Sequence, residues 1–511
     1  MMSKTEHHKL VSLKGDRGHP YTKGKLCAKG FSFPEKNGHR DRFKDPYYQE
    51  KKGSGRFKKI TWEKAYELII DKMMEIHGRY GNFLPLAFYK GTGNRGIHHY
   101  AANEFFSSLG GTTELTPSMD NDALLPNPDP ASIRNASVIF IWGANPAASN
   151  IHLIPYLIEA KTKGAQLVAI DPVLTETAEL ADAYIQPIPG TDHLLAALLL
   201  KKLIDKNKHV QFVHKNNLSF FQQIMELDSE NAAKVCGINN EALQYLEALL
   251  ENGGTCAHLI GAGPLKHSNS RQTLRFIEAL SLLRGDEKKD GGGIFLWQKN
   301  ISLFSNQQRD RGKNRIAHFH SGMLPSKWDP PIEMLWITCG NPAAQEGNVD
   351  FVRQFINDIP FVVTVDQFLT PTGEMSNLIL PTTSFFEEAD IVVNGWHGGI
   401  AFNEKALPPY FNSKSEWRIM TELGEQLNQK ENKLSSFPLY KSEEDYLNAQ
   451  FNDAVFEKYY IKNIQDLRKK KFFQLQPAGE NKGDETLRKD FFQDGKNDPL
   501  SIDTEKMPNE Q

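Results

Sequence analysis

Two aspartates of this sequence each follow a short apolar run and could accept hydrogen bonds from a ligand. Asn145, in an Asn-Pro turn, lies 26 residues before Asp171, and Asn341, in a second Asn-Pro turn, lies 25 residues before Asp366. Carboxylate and amide groups at the ends of buried strands are groups with which α/β proteins bind nucleotides. The repetition predicts two similar sites for two similar ligands, each with a nucleotide-like part.

Two simpler explanations of the repeat stay open. Strand–helix–strand units recur in large α/β proteins, and Asn-Pro is a common turn dipeptide. Each aspartate could also only cap the turn or helix that follows it, as an Asp-Pro sequence allows. A buried carboxylate without a partner is costly, so a polar ligand or several backbone amides must satisfy it in either case.

The elements that must position these residues are two strand–turn–helix–strand units. In the first, apolar runs at 138–142 and 166–170 flank a Gly-Ala-Asn-Pro turn and a helical segment. In the second, the runs lie at 334–339 and 361–365. Their β-branched and aromatic composition predicts buried strands, which a right-handed crossover would make parallel. Ligands of such units bind at the carboxyl ends of the strands.

Glycine-rich turns follow two more predicted strands. Gly91-Thr92-Gly93-Asn94-Arg95-Gly96 comes after residues 84–89, and Gly261-Ala262-Gly263 comes after residues 256–260. Such turns let backbone amides approach a pyrophosphate, although many glycine-rich loops only reverse the chain. Arg95 could add positive charge to the turn, or it could be solvated.

The bulk composition excludes several classes of protein. A chain of 511 residues is too long for one core, which predicts two or three lobes. A formal net charge of −3 gives no reason to expect nucleic acid or an anionic membrane as partner. No apolar run approaches the ~20 residues that span a bilayer, and the first residues carry no signal core. Cysteines at 27, 236, 256 and 339 form no disulfide framework, which predicts a cytoplasmic protein.

A series of short motifs runs in order from about residue 11 to residue 427. They are Leu26-Cys27-Ala28-Lys29-Gly30, Gly91-Thr92-Gly93, Trp142-Gly143-Ala144-Asn145-Pro146, Asp171-Pro172 with Thr175 and Thr177-Ala178, Pro189-Gly190-Thr191-Asp192, Gly291-Gly292-Gly293, Gly340-Asn341-Pro342, and Asp366-Gln367 through Leu380-Pro381 with Glu387. Jointly, though not singly, these motifs are specific. In this order the chain resembles the molybdopterin oxidoreductase family of the dimethyl-sulfoxide-reductase type.

The resemblance implies an α/β fold of two interleaved Rossmann-like lobes with parallel sheets. A short irregular N-terminal segment and a flexible C-terminal tail would flank them. The predicted domains are 1–59, a remnant of an iron–sulfur-type N-terminal domain; 60–129 plus 327–427, a first α/β lobe; 130–326, an inserted second α/β lobe; and 428–511, a charged, poorly packed tail. Phe140 and Trp336 should therefore lie in different sheets.

The resemblance also implies a cofactor, because members of the family hold molybdenum or tungsten between two molybdopterin guanine dinucleotides. One dinucleotide would bind to each repeat, with Asp171 and Asp366 facing a shared cleft. The implied cofactor-binding residues are Gly91, Thr92, Gly93, Trp142, Gly143, Asn145, Pro146, Asp171, Thr175, Gly190, Thr191, Asp192, Gly261, Gly340, Asn341, Asp366, Gln367 and Thr372.

The chain departs from the family pattern at its expected metal ligands. Cys27 stands where the last thiolate of a four-iron four-sulfur cluster would be, but the preceding three cysteines are absent. One cysteine cannot hold such a cluster, so we predict that this chain alone binds none, and Cys27 could be an ordinary thiol. The molybdenum-ligand segment, at about 113–129, offers only Ser118, either as the ligand or as a solvent-facing turn residue. No catalytic residue is assigned.

The resemblance implies a molybdopterin-dependent oxidoreductase that carries out oxo-transfer or related two-electron redox chemistry on a small molecule. A possible further partner is an electron-transfer protein, and no nucleic acid or membrane span is expected. The alternative is a truncated, non-catalytic cofactor-binding remnant of such an enzyme. The identity of the substrate and the choice between molybdenum and tungsten stay open.

Overall fold

The structure is a computed structural model of the chain, and it describes residues 1–93, 96–116, 123–206, 218–251, 254–297, 303–305, 314–319 and 322–470. The chain divides into two compact units. Of these residues, unit 1 takes 1–19, 23–93, 96–116, 303–305, 314–319 and 322–470, and unit 2 takes 20–22, 123–206, 218–251 and 254–297. Ser118, the candidate molybdenum ligand, and Arg95 lie outside the described residues.

The strands, in chain order, are β1 (Met2–Glu6), β2 (Lys9–Lys14), β3 (Tyr47–Tyr48), β4 (Lys58–Lys59), β5 (Leu86–Lys90), β6 (Thr113–Thr116), β7 (Val138–Trp142), β8 (Gln166–Ile170), β9 (Ala183–Ile185), β10 (Cys256–Ile260), β11 (Gly293–Phe295), β12 (Arg315–His318), β13 (Met334–Thr338), β14 (Phe361–Asp366), β15 (Leu378–Pro381), β16 (Asp390–Val393) and β17 (Ile400–Asn403).

The α-helices, in chain order, are α1 (Ala28–Asn37), α2 (Trp62–Tyr80), α3 (Ala101–Ser108), α4 (Pro146–Ser149), α5 (Ile154–Thr162), α6 (Glu176–Leu180), α7 (Asp192–Asp205), α8 (Leu218–Glu226), α9 (Ser229–Cys236), α10 (Asn240–Glu251), α11 (Ser270–Arg284), α12 (Pro342–Gln345), α13 (Val349–Asp358), α14 (Pro371–Glu374), α15 (Glu416–Lys430), α16 (Glu443–Asn448), α17 (Asp453–Tyr459) and α18 (Ile464–Lys470). Short 3₁₀ helices include Ile97–Tyr100 and Pro264–Lys266.

Unit 2 is built on a parallel five-stranded sheet in the order β11-β10-β7-β8-β9. All five residues of β7 are buried, as the apolar composition of its sequence predicts. Helix α7 follows β9 in the chain, and its residues from Asp192 to Leu200 are all buried. A helix that is apolar on almost every side must lie inside the protein, so α7 belongs to the core of the unit.

Unit 1 is built on an eight-stranded sheet in the order β12-β6-β5-β13-β14-β15-β3-β4. The first six strands are parallel, and only the pairings of β15 with β3 and of β3 with β4 are antiparallel. Trp336 lies on β13 in this sheet, whereas Phe140 lies on β7 in the sheet of unit 2. The predicted α/β fold with parallel sheets is confirmed.

The two sheets share one arrangement of five strands. The order β11-β10-β7-β8-β9 in unit 2 corresponds to the order β6-β5-β13-β14-β15 in unit 1. In unit 2 the pair β10 and β11 follows the crossover unit in the chain, whereas in unit 1 the pair β5 and β6 precedes it. The internal repeat therefore includes more strands than the two strand–helix–strand units, because corresponding strands lie beside each unit in its sheet.

The predicted poorly packed tail from residue 428 is wrong for residues 428–470, which form helices α16 to α18 in unit 1. Buried apolar side chains attach this segment to the core of the unit, namely Phe437, Tyr446, Leu447, Val455, Tyr459, Ile461, Ile464 and Leu467. These helices have only six or seven residues, too few for a clear hydrophobic period in a charged sequence. Residues 471–511 lie outside the described part of the chain.

The segment before residue 60 contains a hairpin and a helix. Strands β1 and β2 pair antiparallel, and Leu10 and Leu13 of β2 pack with Phe386 and Leu407. Helix α1 follows, with Cys27 as its N-cap residue. Among the described residues, no helix has the length and apolar character needed to cross a membrane.

Candidate functional site

Both repeats end their first strand in a turn that requires left-handed backbone. Gly143 follows β7 with a φ of 52°, and Cys339 follows β13 with a φ of 54°. Gly143 donates its amide hydrogen to the carbonyl of Ile170, at 2.8 Å, which holds the turn against β8. Glycine adopts this conformation without strain, whereas cysteine does not. The two turns are equivalent in conformation but differ in this one residue.

A threonine makes the same two hydrogen bonds in each unit, one to the asparagine after the turn and one from a backbone amide of the short helix that follows. In unit 2, Thr177 Oγ1 donates to Asn145 Oδ1 at 2.7 Å and accepts from the amide of Ala147 at 3.1 Å. In unit 1, Thr372 Oγ1 donates to Asn341 Oδ1 at 2.7 Å and accepts from the amide of Ala343 at 3.1 Å. Each network fixes the start of the short helix whose first residue is the proline of the Asn-Pro dipeptide.

Each turn also packs against a glycine-rich loop of the neighbouring strand. A Cβ atom on Gly261 would lie 2.0 Å from the Gly143 carbonyl oxygen, and one on Gly91 or Gly93 would lie 2.5 or 2.6 Å from the Cys339 carbonyl oxygen. Gly93 donates its amide hydrogen to that carbonyl at 2.7 Å. Only glycine lets the loop lie this close to the carbonyl oxygen of the turn. The backbone that follows two neighbouring strands therefore meets at the carboxyl edge of the sheet.

The two aspartates that the sequence singled out occupy equivalent strand ends. Asp171 directly follows β8 and accepts a hydrogen bond from the Val173 amide at 2.9 Å. Asp366 ends β14 and accepts from the Gln367 amide at 2.6 Å. Burial raises the pKa of the Asp366 carboxyl. Both carboxylates therefore cap the turns that follow them, which agrees with the simpler of the two explanations for these aspartates. Only the Oδ1 atom of each carboxylate takes part in these bonds.

Asp192 in unit 2 is a buried carboxylate with an oxygen atom that lacks a partner among the residues that the structure describes. It is the first residue of α7, and the atom without a hydrogen bond there is Oδ1. Burial raises its pKa to about 6, and the charge of Asp171 adds to this effect. His193 beside it is kept neutral, because burial lowers its pKa to about 4. This environment suits a ligand that donates hydrogen bonds to carboxylates.

Unit 1 has a groove beside Asp366 that the sequence did not reveal. Its volume is about 980 Å³, and its lining includes Phe368 next to the side chains of Lys36, Arg40 and Lys44. The pKa of Lys36 is lowered by burial, against the raising effect of Asp366. The lining also contains the acidic Asp41, which pairs with Arg40 at 3.6 Å, so Lys36 and Lys44 are the basic side chains that make this groove suit phosphate groups. Lys36, Arg40 and Lys44 lie four residues apart, but only Lys36 belongs to a helix, because α1 ends at Asn37, so this spacing does not mark one helix face.

The remaining predicted residues fall into two groups. Thr175 and Pro146 start helices α6 and α4, Gly190 and Thr191 form the turn before α7, and Gln367 Nε2 donates to the Thr383 carbonyl at 2.8 Å. Thr92 and Gly340 belong to the turns at the ends of β5 and β13. Trp142 has a fully buried side chain whose indole donates to His258 at 3.3 Å, and its role in cofactor binding stays a prediction. It supports the strand and offers no exposed polar group.

The donors around Cys27 do not fit a four-iron four-sulfur cluster. Within the described residues, no group of clustered metal-ligating side chains includes this cysteine.

The spacing of Gly91, Gly93 and Gly96 is the Gly-x-Gly-x-x-Gly pattern of dinucleotide-binding turns. The three glycines together therefore indicate a phosphate-binding turn more strongly than Gly91 and Gly93 do alone.

Both units carry an Asn-Pro turn and a glycine-rich loop at the carboxyl edge of five parallel strands in one shared order, and α/β proteins bind ligands at such edges. The profile of the molybdopterin oxidoreductase family matches residues 42–426. The chain belongs to the molybdopterin oxidoreductase family. The resemblance inferred from the sequence motifs is confirmed.

Several relatives share most of this chain. It is 30% identical over 441 residues to a probable oxidoreductase, YyaE, of Bacillus subtilis, covering 82% of this chain and 65% of that protein. It is 24% identical to the F420-dependent formate dehydrogenase subunit alpha of Methanocaldococcus jannaschii, covering 82% and 67%. It is 23% identical to the dimethyl sulfoxide reductase DmsA of Escherichia coli, covering 94% and 67%. The chain thus spans about two thirds of the length of these relatives.

The fold is shared with a solved structure. Acetylene hydratase from Pelobacter acetylenicus superposes with a TM-score of 0.71 over 93% of this chain and 72% of that protein, at 16% sequence identity. At this identity the likeness concerns the fold alone.

Proposed function

We propose that this chain binds a bis(molybdopterin guanine dinucleotide) cofactor with molybdenum or tungsten, and that it carries out oxo-transfer or a related two-electron reaction on a small molecule. The observation that carries the proposal is the matched pair of hydrogen-bond networks, Asn145 with Thr177 and Asn341 with Thr372, at equivalent strand ends. Two equivalent edges fit a cofactor with two equivalent dinucleotides.

The residues present fit guanine-containing ligands. The unpaired, buried Oδ1 atom of Asp192 is an acceptor, and guanine presents N–H donors on its Watson–Crick edge. Asp171 lies close enough to Asp192 to influence its pKa, so unit 2 offers two carboxylates to such a ligand. In unit 1, Asp366 would take the corresponding role, with Lys36 and Lys44 of the adjoining groove near the phosphates.

The chemistry would divide between cofactor and protein. The metal and pterins, when bound, would exchange two electrons with the substrate, and an external electron donor or acceptor would restore them. The protein contributes binding and orientation: the glycine turns at Gly91 and Gly261 give the pyrophosphates access to backbone, and the strand-end carboxylates fix the guanines. No catalytic side chain is assigned, and the residue that contacts the metal stays open.

Analysis of metal and guanine in the purified protein tests the proposal. We expect about one molybdenum or tungsten ion and two guanine nucleotides per chain, released together on acid denaturation. Protein made in cells that cannot synthesise the pterin provides the matched control. The proposal would be contradicted if protein purified from cofactor-producing cells contained no guanine nucleotide and also failed to bind it on reconstitution.

The same protein distinguishes an enzyme from the non-catalytic remnant. Loaded protein that transfers electrons between a reduced or oxidised viologen dye and a small oxo-acceptor or oxo-donor is the expected result. Loaded protein that holds metal and guanine at full stoichiometry, yet exchanges no electrons with any dye, would favour the remnant. Electron-transfer partners and a cytoplasmic location stay predictions.

A further inference from the structure

We propose that Cys339, His99 and Glu416 form a zinc site in unit 1 that is separate from the pterin cofactor. The three side chains come from the turn after β13, the 3₁₀ helix Ile97–Tyr100 and the first turn of α15. Their donor atoms all lie within 4.8 Å of one another. A thiol, an imidazole and a carboxylate are the donors that zinc prefers in proteins.

The distances between the donors agree with the edges of a zinc tetrahedron. Cys339 Sγ lies 3.4 Å from His99 Nδ1 and 3.9 Å from Glu416 Oε2, and His99 Nδ1 lies 3.3 Å from Glu416 Oε2. Ordinary zinc–sulfur, zinc–nitrogen and zinc–oxygen bonds at tetrahedral angles give edges of about 3.4–3.6 Å. Each observed edge is within a few tenths of an ångström of that range, so an ion could enter with small side-chain movements.

The second nitrogen of the imidazole already has the partner that a zinc-bound histidine needs. His99 Nε2 lies 2.9 Å from Glu388 Oε1, and Thr383 donates its hydroxyl hydrogen to Glu388 Oε2 at 2.6 Å. A histidine that binds a metal through one nitrogen usually donates the other N–H to a carboxylate, which fixes the ring and makes it a better ligand. Glu388 is fully buried, so it holds the ring in this one orientation.

The cluster also contains more buried negative charge than its own residues balance. Glu388 and Glu416 are each at most 1% exposed. Within the described residues, His99 is the one basic side chain in the ion pairs of these carboxylates. Glu416 Oε1 is buried and has no hydrogen-bond partner in the described part of the chain. A divalent cation would offset this charge and give the Glu416 carboxylate a partner.

Backbone strain at Cys339 is an independent indication that its side chain has a function. The equivalent residue of the other repeat is Gly143, with φ of 52° against 54° for Cys339. A residue with a side chain is strained in this conformation, and such strain concentrates at functional sites. Because the Cys339 carbonyl accepts from Gly93, zinc bound to its thiolate would also fix the glycine-rich turn of unit 1.

Metal titration of the intact chain tests the site. Protein stripped with a chelator should bind one Zn²⁺ at the site, and Co²⁺ in its place should give a thiolate-to-cobalt charge-transfer band. Cys339→Gly should abolish the band and weaken zinc binding at least tenfold, without backbone strain because glycine suits this turn. Glu388→Gln should weaken binding by about ten- to a hundredfold. Cys27→Ser, a change at a cysteine outside the cluster, should leave both signals unchanged.

A measurement on the unmodified protein guards against a variant that fails to fold. Zinc should slow alkylation of Cys339 by iodoacetamide, followed by mass spectrometry of its peptide, because a metal-bound thiolate is protected. The contrary outcome is a thiolate paired only with the His99 imidazolium, which would react at the same rate with and without zinc. Any one of three results would overturn the proposal. They are an alkylation rate that zinc does not change, a cobalt spectrum without a thiolate band, and unchanged zinc affinity in Cys339→Gly.

Discussion

Replacement of Asp192 by asparagine should stabilise the cofactor-free protein at neutral and alkaline pH. Burial raises the pKa of this carboxyl from 3.8 to about 6, so the folded protein holds the proton more tightly than the unfolded chain does. The stability that comes from the protonated form is fully present below pH 3.8 and is lost as the pH rises through about 6. Asparagine keeps the shape of the side chain and cannot ionise.

The expected size follows from the difference between the two pKa values. About 2 pH units correspond to about 3 kcal/mol, so Asp192→Asn should raise the free energy of unfolding by about 3 kcal/mol at pH 8. At pH 4 the variant and the wild type should differ by well under 1 kcal/mol, because the carboxyl is protonated in the folded wild type.

Urea unfolding at several pH values measures this difference in protein purified without cofactor. Asp453→Asn is a matched control, because Asp453 is also the first residue of a helix but is exposed. That variant should lie within about 0.5 kcal/mol of the wild type at every pH. A gain from Asp192→Asn that is the same at pH 4 and pH 8, or no gain at either, would refute the reasoning.

Two further predictions concern packing around the sites. Gly261→Ala should destabilise the protein by about 1–3 kcal/mol or more in urea unfolding, because its Cβ would lie 2.0 Å from the Gly143 carbonyl oxygen. Gly263→Ala is the control: its Cβ would lie 3.6 Å from the same atom, so it should cost less than about 1 kcal/mol. Equal effects of the two substitutions would contradict the steric argument. Arg42→Ala should cost about 3–5 kcal/mol in the same assay, since it leaves the buried Glu387 carboxylate without its bidentate partner at 2.5 and 2.6 Å. Glu387→Gln in the Arg42→Ala background should recover part of the loss, and no recovery would mean that the cost has another source.

The sequence was sufficient for the fold because local patterns and tertiary structure agree there. Buried strands such as β7 and β13 are continuous apolar runs, and both are followed by a turn that ends in Asn-Pro. The equivalence of the strand-end residues Asp171 and Asp366 also followed from the repeat. What the sequence could not supply was the packing of short helices after residue 428, where burial depends on neighbours far along the chain.

The candidate sites were less accessible to sequence reasoning, because chemistry there depends on residues brought together by the fold. The buried Asp192 stood in a recognised motif, but its unpaired oxygen is a property of the folded environment. The cluster of His99, Cys339 and Glu416 joins positions separated by up to 317 residues, and none of them belongs to a ligand motif of fixed spacing. The left-handed φ of Cys339 could be suspected only by aligning it with Gly143.

The central claim is that each repeat holds one guanine dinucleotide, and guanine counting in two single variants tests it most directly. Asp171→Ala and Asp366→Ala should each weaken retention at one edge by about 1–3 kcal/mol, the cost of a lost buried hydrogen-bond partner. After equal dialysis, wild-type protein should release about two guanines per metal, and each variant about one. If both variants fold and still release two guanines per metal, the two-site account is wrong and the repeats serve only as scaffold.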